Sequence, residues 1–259
     1  MQTLDRALAT AVGTGRQIQI PFTRWQKLVD FRTGDIAVLA GAPGGGKSLT
    51  ALNWAHRTTD SVLYLGQDSP RSVRRRLVAL TVNQPVHDIR EEDNDHWSQQ
   101  ILDYGGIGDV ILNAGAVSVQ DIDDMIVAMT EWLMEPPKVV FVDNLIDMRS
   151  DEAMHMDNNF YADILTNLKQ LAIEKDVGVV LLHHVSRGDA AEGTEPLTMT
   201  SLLFGGEREA RHVWGVYRGG DDRRVFIQVL KQQDGQADAS GNLKVDLSWM
   251  PKEGRLYNA

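Results

Sequence analysis

Residues 34–55, GDIAVLAGAPGGGKSLTALNWA, predict a strand, a glycine-rich loop and a helix in immediate succession. The apolar first half is typical of a buried strand, three adjacent glycines interrupt it, and a lysine and a serine open the helix. Glycine weakens the interior of strands and helices. The glycine cluster therefore indicates backbone that approaches a ligand closely.

The spacing in this loop is that of the phosphate-binding motif G-x-x-x-x-G-K-[S/T], in which backbone N–H groups and a helix N-terminus surround phosphate oxygens. Lys47 is predicted to neutralise the β- and γ-phosphates of a nucleotide, and Ser48 Oγ to ligate Mg²⁺. The alternative, a glycine-rich turn with a chance lysine, is disfavoured because the motif lies between a strand and a helix. The predicted nucleotide-binding residues are Gly41, Ala42, Pro43, Gly44, Gly45, Gly46, Lys47, Ser48 and Leu49.

Composition limits the classes of function. The chain has 259 residues, which suits one large domain or two small ones, and it has no cysteine for disulfides or thiolate metal sites. Its formal charge of −10 argues against broad adhesion to nucleic acid or to anionic membranes, so DNA binding would have to be local. Because no apolar run has the length of a membrane span, we expect a soluble, cytoplasmic protein without membrane contact.

The first residues predict a separate element. Leu4, Leu8, Ala11 and Val12 form one helical stripe, and a Gly-Thr-Gly sequence follows. We therefore divide the chain into an N-terminal helix and linker, residues 1–15, and one nucleotide-binding domain, residues 16–259. The stripe is equally compatible with packing on its own domain and on a neighbouring subunit.

Beyond this helix, apolar runs alternate with helical patterns. Such alternation predicts an α/β fold with a mainly parallel sheet covered by helices. Three closely spaced strands in the last third, HVWGVYR, RRVFIQVLK and LKVDLSW, are predicted to add antiparallel strands at one edge. The earlier predicted strands are 36–40, 62–65, 110–112, 139–142 and 177–182, and the predicted helices lie near 47–58, 70–80, 118–133 and 158–174.

Polar residues end three of the predicted strands. Ligands bind beyond the carboxyl ends of parallel strands, so Asp143 is expected to hold Mg²⁺ beside the loop. Asp68 is expected to deprotonate the attacking water, although Asp68-Ser69-Pro70 also suits a helix N-cap. His184 is expected to sense the γ-phosphate. His183 and His184 point to opposite faces of a strand, which argues against a shared metal ion.

Other charged clusters have simpler interpretations. Arg71, Arg74, Arg75 and Arg76 indicate an exposed helix face or subunit contacts first, and DNA second. The carboxylates of REEDNDHW and SVQDIDDM could suggest two-metal nuclease chemistry. We interpret the first run as a solvated connection, and the second as a helix start capped by Ser118.

The order of these motifs resembles the ATPase domain of DnaB-type replicative helicases, within the RecA/KaiC-like superfamily, and the short chain is similar to a phage-encoded member. The resemblance covers about residues 18–249. It rests on PFTRWQKLVDFRTGDIAVLAGAPGGGKS, LYLGQDSP, FVDNLIDM, LLHHVSRG, LTMTSLLFGGEREARHVWGVYR and VLKQQDG.

The resemblance implies a RecA-like core and a ring, typically a hexamer, with ATP between subunits. Single-stranded DNA would pass through the centre and touch the 186–206 loop, and Lys231 would reach the neighbour's ATP. Three departures stand out. Asp68 replaces a glutamate, Gln233 replaces the arginine finger, and the sequence LLFGG lacks polar phosphate contacts, although Arg208 and Arg211 follow.

Three functions fit these features. The first is an ATP-dependent DNA motor or helicase in DNA replication. The second is a recombination or DNA repair ATPase acting on branched DNA, with or without nuclease activity. The third is a KaiC-like slow ATPase switch, which Asp68 and Gln233 favour.

Overall fold

The structure is a computed structural model. It describes residues 15–66, 68–90, 96–97, 99, 110–149, 158–185, 193–202, 209–220 and 223–258. The predicted N-terminal helix lies outside the described residues, and so does much of the 186–206 loop. The division of the chain at residue 15 thus stays a prediction.

Five α-helices and nine strands are found in the described part of the chain. The helices are α1 (Thr23–Leu28), α2 (Lys47–Arg57), α3 (Pro70–Val82), α4 (Val119–Leu133) and α5 (Asn158–Lys175). The strands are β1 (Ile36–Gly41), β2 (Val62–Gly66), β3 (Val110–Ala114), β4 (Val139–Asp143), β5 (Gly178–His184), β6 (His212–Gly219), β7 (Arg224–Gln232), β8 (Lys244–Met250) and β9 (Arg255–Asn258). Every strand and helix predicted in the range 36–182 is present.

All nine strands join one sheet in the order β3-β2-β4-β5-β1-β6-β7-β8-β9. The pairs from β3 to β6 are parallel, and those from β6 to β9 are antiparallel. The predicted mainly parallel α/β fold with antiparallel strands at its C-terminal edge is confirmed. One strand differs from the expectation, because β6 pairs with β1 in parallel. The connection over residues 185–211 is long enough for the crossover that a parallel pair needs.

The parallel register brings the ends of four strands to one edge of the sheet. Gly41 at the end of β1 pairs with His184 at the end of β5, and Asp143 at the end of β4 pairs with Gly66 of β2. The residues that follow these strands therefore meet in one place.

Apolar side chains fill both faces of the sheet. One face packs against α4 and α5, and the other packs against α1, α2 and α3. An aromatic cluster supports the helix that carries Lys47. The Trp54 ring meets the Trp25 ring edge to face at 5.2 Å, and Trp25 meets Trp214 of β6 at 5.0 Å. Trp54 Nε1 also donates a 2.8 Å hydrogen bond to the Gln19 carbonyl.

Within the described part of the chain, no helix combines the length and apolar character needed to cross a bilayer.

The Trp54→Ala substitution is expected to lower the free energy of unfolding by about 3–5 kcal/mol, because it opens a cavity in a fully buried aromatic cluster. Trp132 is the matched control, since its side chain is 69% exposed and Trp132→Ala should change stability by less than about 0.5 kcal/mol. Chemical denaturation of both variants measures the difference. Equal losses would show that the cluster does not support the fold.

Candidate active site

The glycine-rich loop is held against β6. A Cβ atom on Gly41 would lie 2.8 Å from the Val216 carbonyl oxygen and 3.0 Å from Lys47 Cγ, so any larger residue would push the loop out of place. Helix α2 begins at Lys47, and its first turn has neither a side-chain cap nor an acidic residue. Its first N–H groups and the positive end of its dipole are therefore available to an anion.

Lys47 is buried although its side chain is charged. Its Nζ donates to the carbonyl oxygens of Gly41 at 2.8 Å and Ala42 at 3.1 Å, and it lies 3.2 Å from His184 Nδ1. Burial lowers the pKa of Lys47 from 10.5 to about 8, and Asp143 opposes part of that effect. This change corresponds to about 3 kcal/mol against the charged form, so a nearby anion would be strongly favoured.

His184 lies beside Lys47 at the end of β5. Burial, followed by the positive charge of Lys47, lowers the pKa of His184, so its ring is neutral at pH 7. Since Lys47 Nζ approaches Nδ1, we assign Nδ1 as the acceptor and place the ring proton on Nε2. The imidazole can then donate from Nε2 to a ligand oxygen.

Asp143 ends β4 and lines the same cavity as Lys47 and His184, and Tyr64 of β2 orients its carboxylate. The Tyr64 hydroxyl donates a 2.8 Å hydrogen bond to Asp143 Oδ2. Burial, and then the charge of Asp143, raises the pKa of Tyr64 well above its usual value, so the phenol stays a donor. The other carboxylate oxygen and Ser48 Oγ are hard oxygen ligands of the kind Mg²⁺ prefers, so these residues fit that ion.

Asp68 lies in the cavity and forms an ion pair with Arg76, with 2.8 Å between Oδ2 and Nη1. It does not cap the following helix. Ser69 is the N-cap residue of α3, and its side chain accepts a hydrogen bond from the Ser72 N–H. The capping alternative for Asp68 is therefore wrong, and its role as a base stays a prediction.

These side chains line one cavity of about 440 Å³, a size typical of small-molecule sites. The predicted residues that line it are Pro43, Gly44, Gly46, Lys47, Ser48, Leu49, Asp68, Asp143 and His184. Gly41, Ala42 and Gly45 belong to the loop but do not line the cavity. Apolar side chains also line the cavity, namely Leu52, Leu80, Val86, Trp249 and Pro251. The cavity thus combines polar, anion-binding groups with apolar surface that suits a nucleobase.

Several residues that line the cavity were not predicted from the sequence. Arg218, at the end of β6, also lines the cavity, and its guanidinium lies 5.5 Å from the centre of the Trp249 ring. Asn53 and Glu253 add polar groups to its lining. Arg76, which the sequence predicts on an exposed helix face or in a subunit contact, also lines this cavity. The signal that could have found Arg218 is its place at the carboxyl end of a parallel strand.

Lys231 lies away from this cavity. It pairs with Val213 near the start of β6, whereas Val225, near the other end of β7, packs close to Gly46 of the loop. Lys231 lies six residues beyond Val225 along the strand, a distance of roughly 20 Å. The structure therefore does not bring Lys231 together with the other predicted catalytic residues.

The 186–206 segment contacts the loop at Gly193. A Cβ atom on Gly193, which has a φ of +69°, would lie 2.7 Å from both the N and the Cα of Gly45. At its base, Val185 and Leu202 form an antiparallel bridge directly after His184. The described part of this segment therefore touches both the loop and the histidine strand.

The fold and the cavity define a P-loop nucleoside triphosphatase. The family model described as an AAA domain matches residues 5–190, so the chain belongs to that family and is an ATPase. The Gene 65 protein of Mycobacterium phage L5 is 23% identical over 226 residues, which span 83% of each chain.

Two solved structures share the fold of the entire chain, each with a TM-score of 0.81. One, described as a DnaB-like replicative helicase and its interactions with primase, is 20% identical, and the match covers 67% of its length. The other, described as an ATPase domain, is 21% identical, and the match covers 99% of its length. The predicted likeness to DnaB-type ATPase domains is confirmed at the level of the fold.

The Asp68→Asn substitution is expected to leave ATP binding unchanged and to lower turnover by roughly 10²–10⁴-fold, because an amide cannot accept the proton of the attacking water. The control Ser69→Ala removes the real helix cap and should cost about 1 kcal/mol of stability while keeping turnover. Single-turnover hydrolysis and nucleotide titration separate the two effects. Normal hydrolysis by Asp68→Asn would exclude this carboxylate as the base.

Proposed function

We propose that the protein is an ATP-driven motor of the helicase class that acts on single-stranded or branched DNA as a ring-shaped homo-oligomer, typically a hexamer. The observation that carries the proposal is the physical contact between the nucleotide loop and the 186–206 segment at Gly193. The fold shared with a DnaB-like helicase and with a second ATPase domain supports it, and so does the matching phage protein. A phage protein of this kind would act in the cytoplasm of its bacterial host.

In the proposed reaction, the phosphates of ATP lie on the first turn of α2, and the ammonium of Lys47 moves from its carbonyl partners toward the β- and γ-phosphates. Asp68 takes a proton from a water whose oxygen attacks the γ-phosphorus, and the bond to the β–γ bridging oxygen breaks to leave ADP. Ser48 and Asp143 would hold Mg²⁺, which supplies charge neutralisation at the phosphate oxygens. Arg76 holds the Asp68 carboxylate at 2.8 Å.

The γ-phosphate signal would pass through His184. Its Nε2 proton is free to donate to a phosphate oxygen, and the bridge between Val185 and Leu202 lies immediately after it. A change in the position of the His184 ring therefore acts on the point where the 186–206 segment begins. Gly193 supplies a second contact with the loop through Gly45. Two contacts of this kind would couple hydrolysis to movement of a DNA-binding segment.

The position of Lys231 supports a shared site. With roughly 20 Å of strand between it and the loop, its ammonium cannot reach the phosphates of its own chain. In a head-to-tail ring, the same group can face the nucleotide of the next subunit. A cation supplied in this way stabilises the developing charge on the γ-phosphate. Gln233 is exposed in the turn after β7 and supplies no charge there.

The motor proposal predicts that single-stranded DNA stimulates hydrolysis and that a forked duplex is unwound without being cut. ATPase turnover with and without DNA, followed by gel analysis of the same DNA, gives both results. DNA cleavage would favour the repair alternative. Slow hydrolysis that is independent of DNA would favour the switch and contradict the motor.

The shared-site proposal predicts that Lys47→Ala and Lys231→Ala subunits, each inactive alone, regain turnover when mixed, because some interfaces pair an intact loop with an intact Lys231. Mixing Lys47→Ala with Lys27→Ala is the control; Lys27 lies on α1, its side chain is exposed, and the Lys27 variant should be fully active by itself. If Lys231→Ala alone keeps wild-type turnover, the shared site is wrong.

A further inference from the structure

A second cavity, of about 310 Å³, lies along the outer side of α3. Arginine side chains form its rim and apolar side chains form its floor. The rim consists of Arg71, Arg74, Arg75 and Arg90, and the floor consists of Val78, Ile89 and Trp97. We refer to these seven residues as the arginine groove.

The rim is a local positive surface on an acidic protein. All four rim arginines are exposed. In the described part of the chain, no carboxylate lies within ion-pair distance of Arg74 or Arg90, and the Arg75 side chain donates only to the Val86 carbonyl, at 2.8 Å. The sequence then continues with carboxylates at Glu91, Glu92, Asp93 and Asp95. Arg74, Arg75 and Arg90 thus give the rim exposed positive charge.

The floor fixes the geometry of the rim. Trp97 is only 9% exposed and packs with Val78, Ala79, Val82 and Ile89 in a small apolar cluster. Its Nε1 donates a 3.1 Å hydrogen bond to the carbonyl oxygen of Arg90. This bond holds the Arg90 backbone beside α3, so the rim on that side is built by the fold.

We propose that the arginine groove binds the sugar-phosphate backbone of a single-stranded DNA segment, outside the nucleotide cavity. This inference rests on the proposed DNA-acting function. Arg74 and Arg75 lie on the outer side of α3 and Arg90 lies on the same rim, so their guanidinium groups can engage neighbouring phosphates. One guanidinium group can donate two parallel hydrogen bonds to the oxygens of a phosphate. The apolar floor suits a sugar or a nucleobase.

The groove is also connected to the active site. The inner side of α3 contributes Arg76 and Leu80 to the nucleotide cavity, and Arg76 holds Asp68. DNA on the outer side would therefore contact the helix that positions the proposed base. This connection predicts that the groove contributes to DNA stimulation of hydrolysis and leaves hydrolysis without DNA unchanged.

The test compares Arg74→Gln/Arg90→Gln with the wild type in fluorescence anisotropy titrations of a labelled single-stranded oligonucleotide at several salt concentrations. A charge-matched control, Arg24→Gln/Lys27→Gln, removes two positive charges from α1. Each lost phosphate contact makes the negative slope of log affinity against log salt less steep by about 0.7. The slope of the groove variant should therefore be smaller in magnitude by about 1.4. The control should keep the wild-type slope, and all three proteins should keep the same ATPase turnover without DNA.

The test distinguishes failure of the groove inference from failure of the proposed function. If the wild type binds the oligonucleotide and the groove variant has the wild-type slope, the inference is overturned and the groove is left for another partner, such as an acidic protein. An equal loss in the control would also overturn it, because the effect would then follow net charge. If the wild type binds neither single-stranded nor forked DNA, the proposed function itself fails.

Discussion

The buried charge of Lys47 is the constraint on which the site depends. The side chain is 6% exposed, and its ammonium is supported by two carbonyl oxygens of its own loop and by a neutral histidine. Neutral acceptors only partly replace the water that burial removes, which is why the pKa of Lys47 falls to about 8. Phosphate oxygens at the same place would restore the charged form. Part of the binding energy for a nucleotide is therefore already built into the fold.

The remaining architecture holds that lysine in position. The close contact of Gly41 with β6 fixes the loop, and the rings of Trp25, Trp54 and Trp214 fix the helix that begins at Lys47. Parallel pairing then places Asp143 and His184 at the same edge. The antiparallel strands after β6 extend the sheet in the other direction and carry Lys231 away from the cavity. Lys231 can therefore act on a nucleotide only if, as proposed, that nucleotide is bound by another subunit.

The sequence predicted most of this fold, because buried parallel strands are short apolar runs and the loop has a fixed spacing. Asp143 and His184 were found because they end such runs. Tyr64 was missed since it lies inside an apolar strand and is indistinguishable there from a core residue. Arg218 was missed because β6 was expected to be antiparallel, which would have placed it elsewhere. Arg74 and Arg76 look alike in sequence, yet they point about 200° apart on a helix and face different cavities.

Proton uptake on nucleotide binding tests most directly whether Lys47 receives the phosphates. With a pKa of about 8, roughly half of the Lys47 side chains are neutral at pH 8, and phosphate binding should protonate them. Calorimetric titration of a non-hydrolysable ATP analogue at pH 8, in two buffers of different ionisation enthalpy, should show uptake of about half a proton, and affinity should fall as the pH rises above 8. Lys47→Met should show no uptake. Equal uptake by the wild type and this variant, or none by either, would contradict the account.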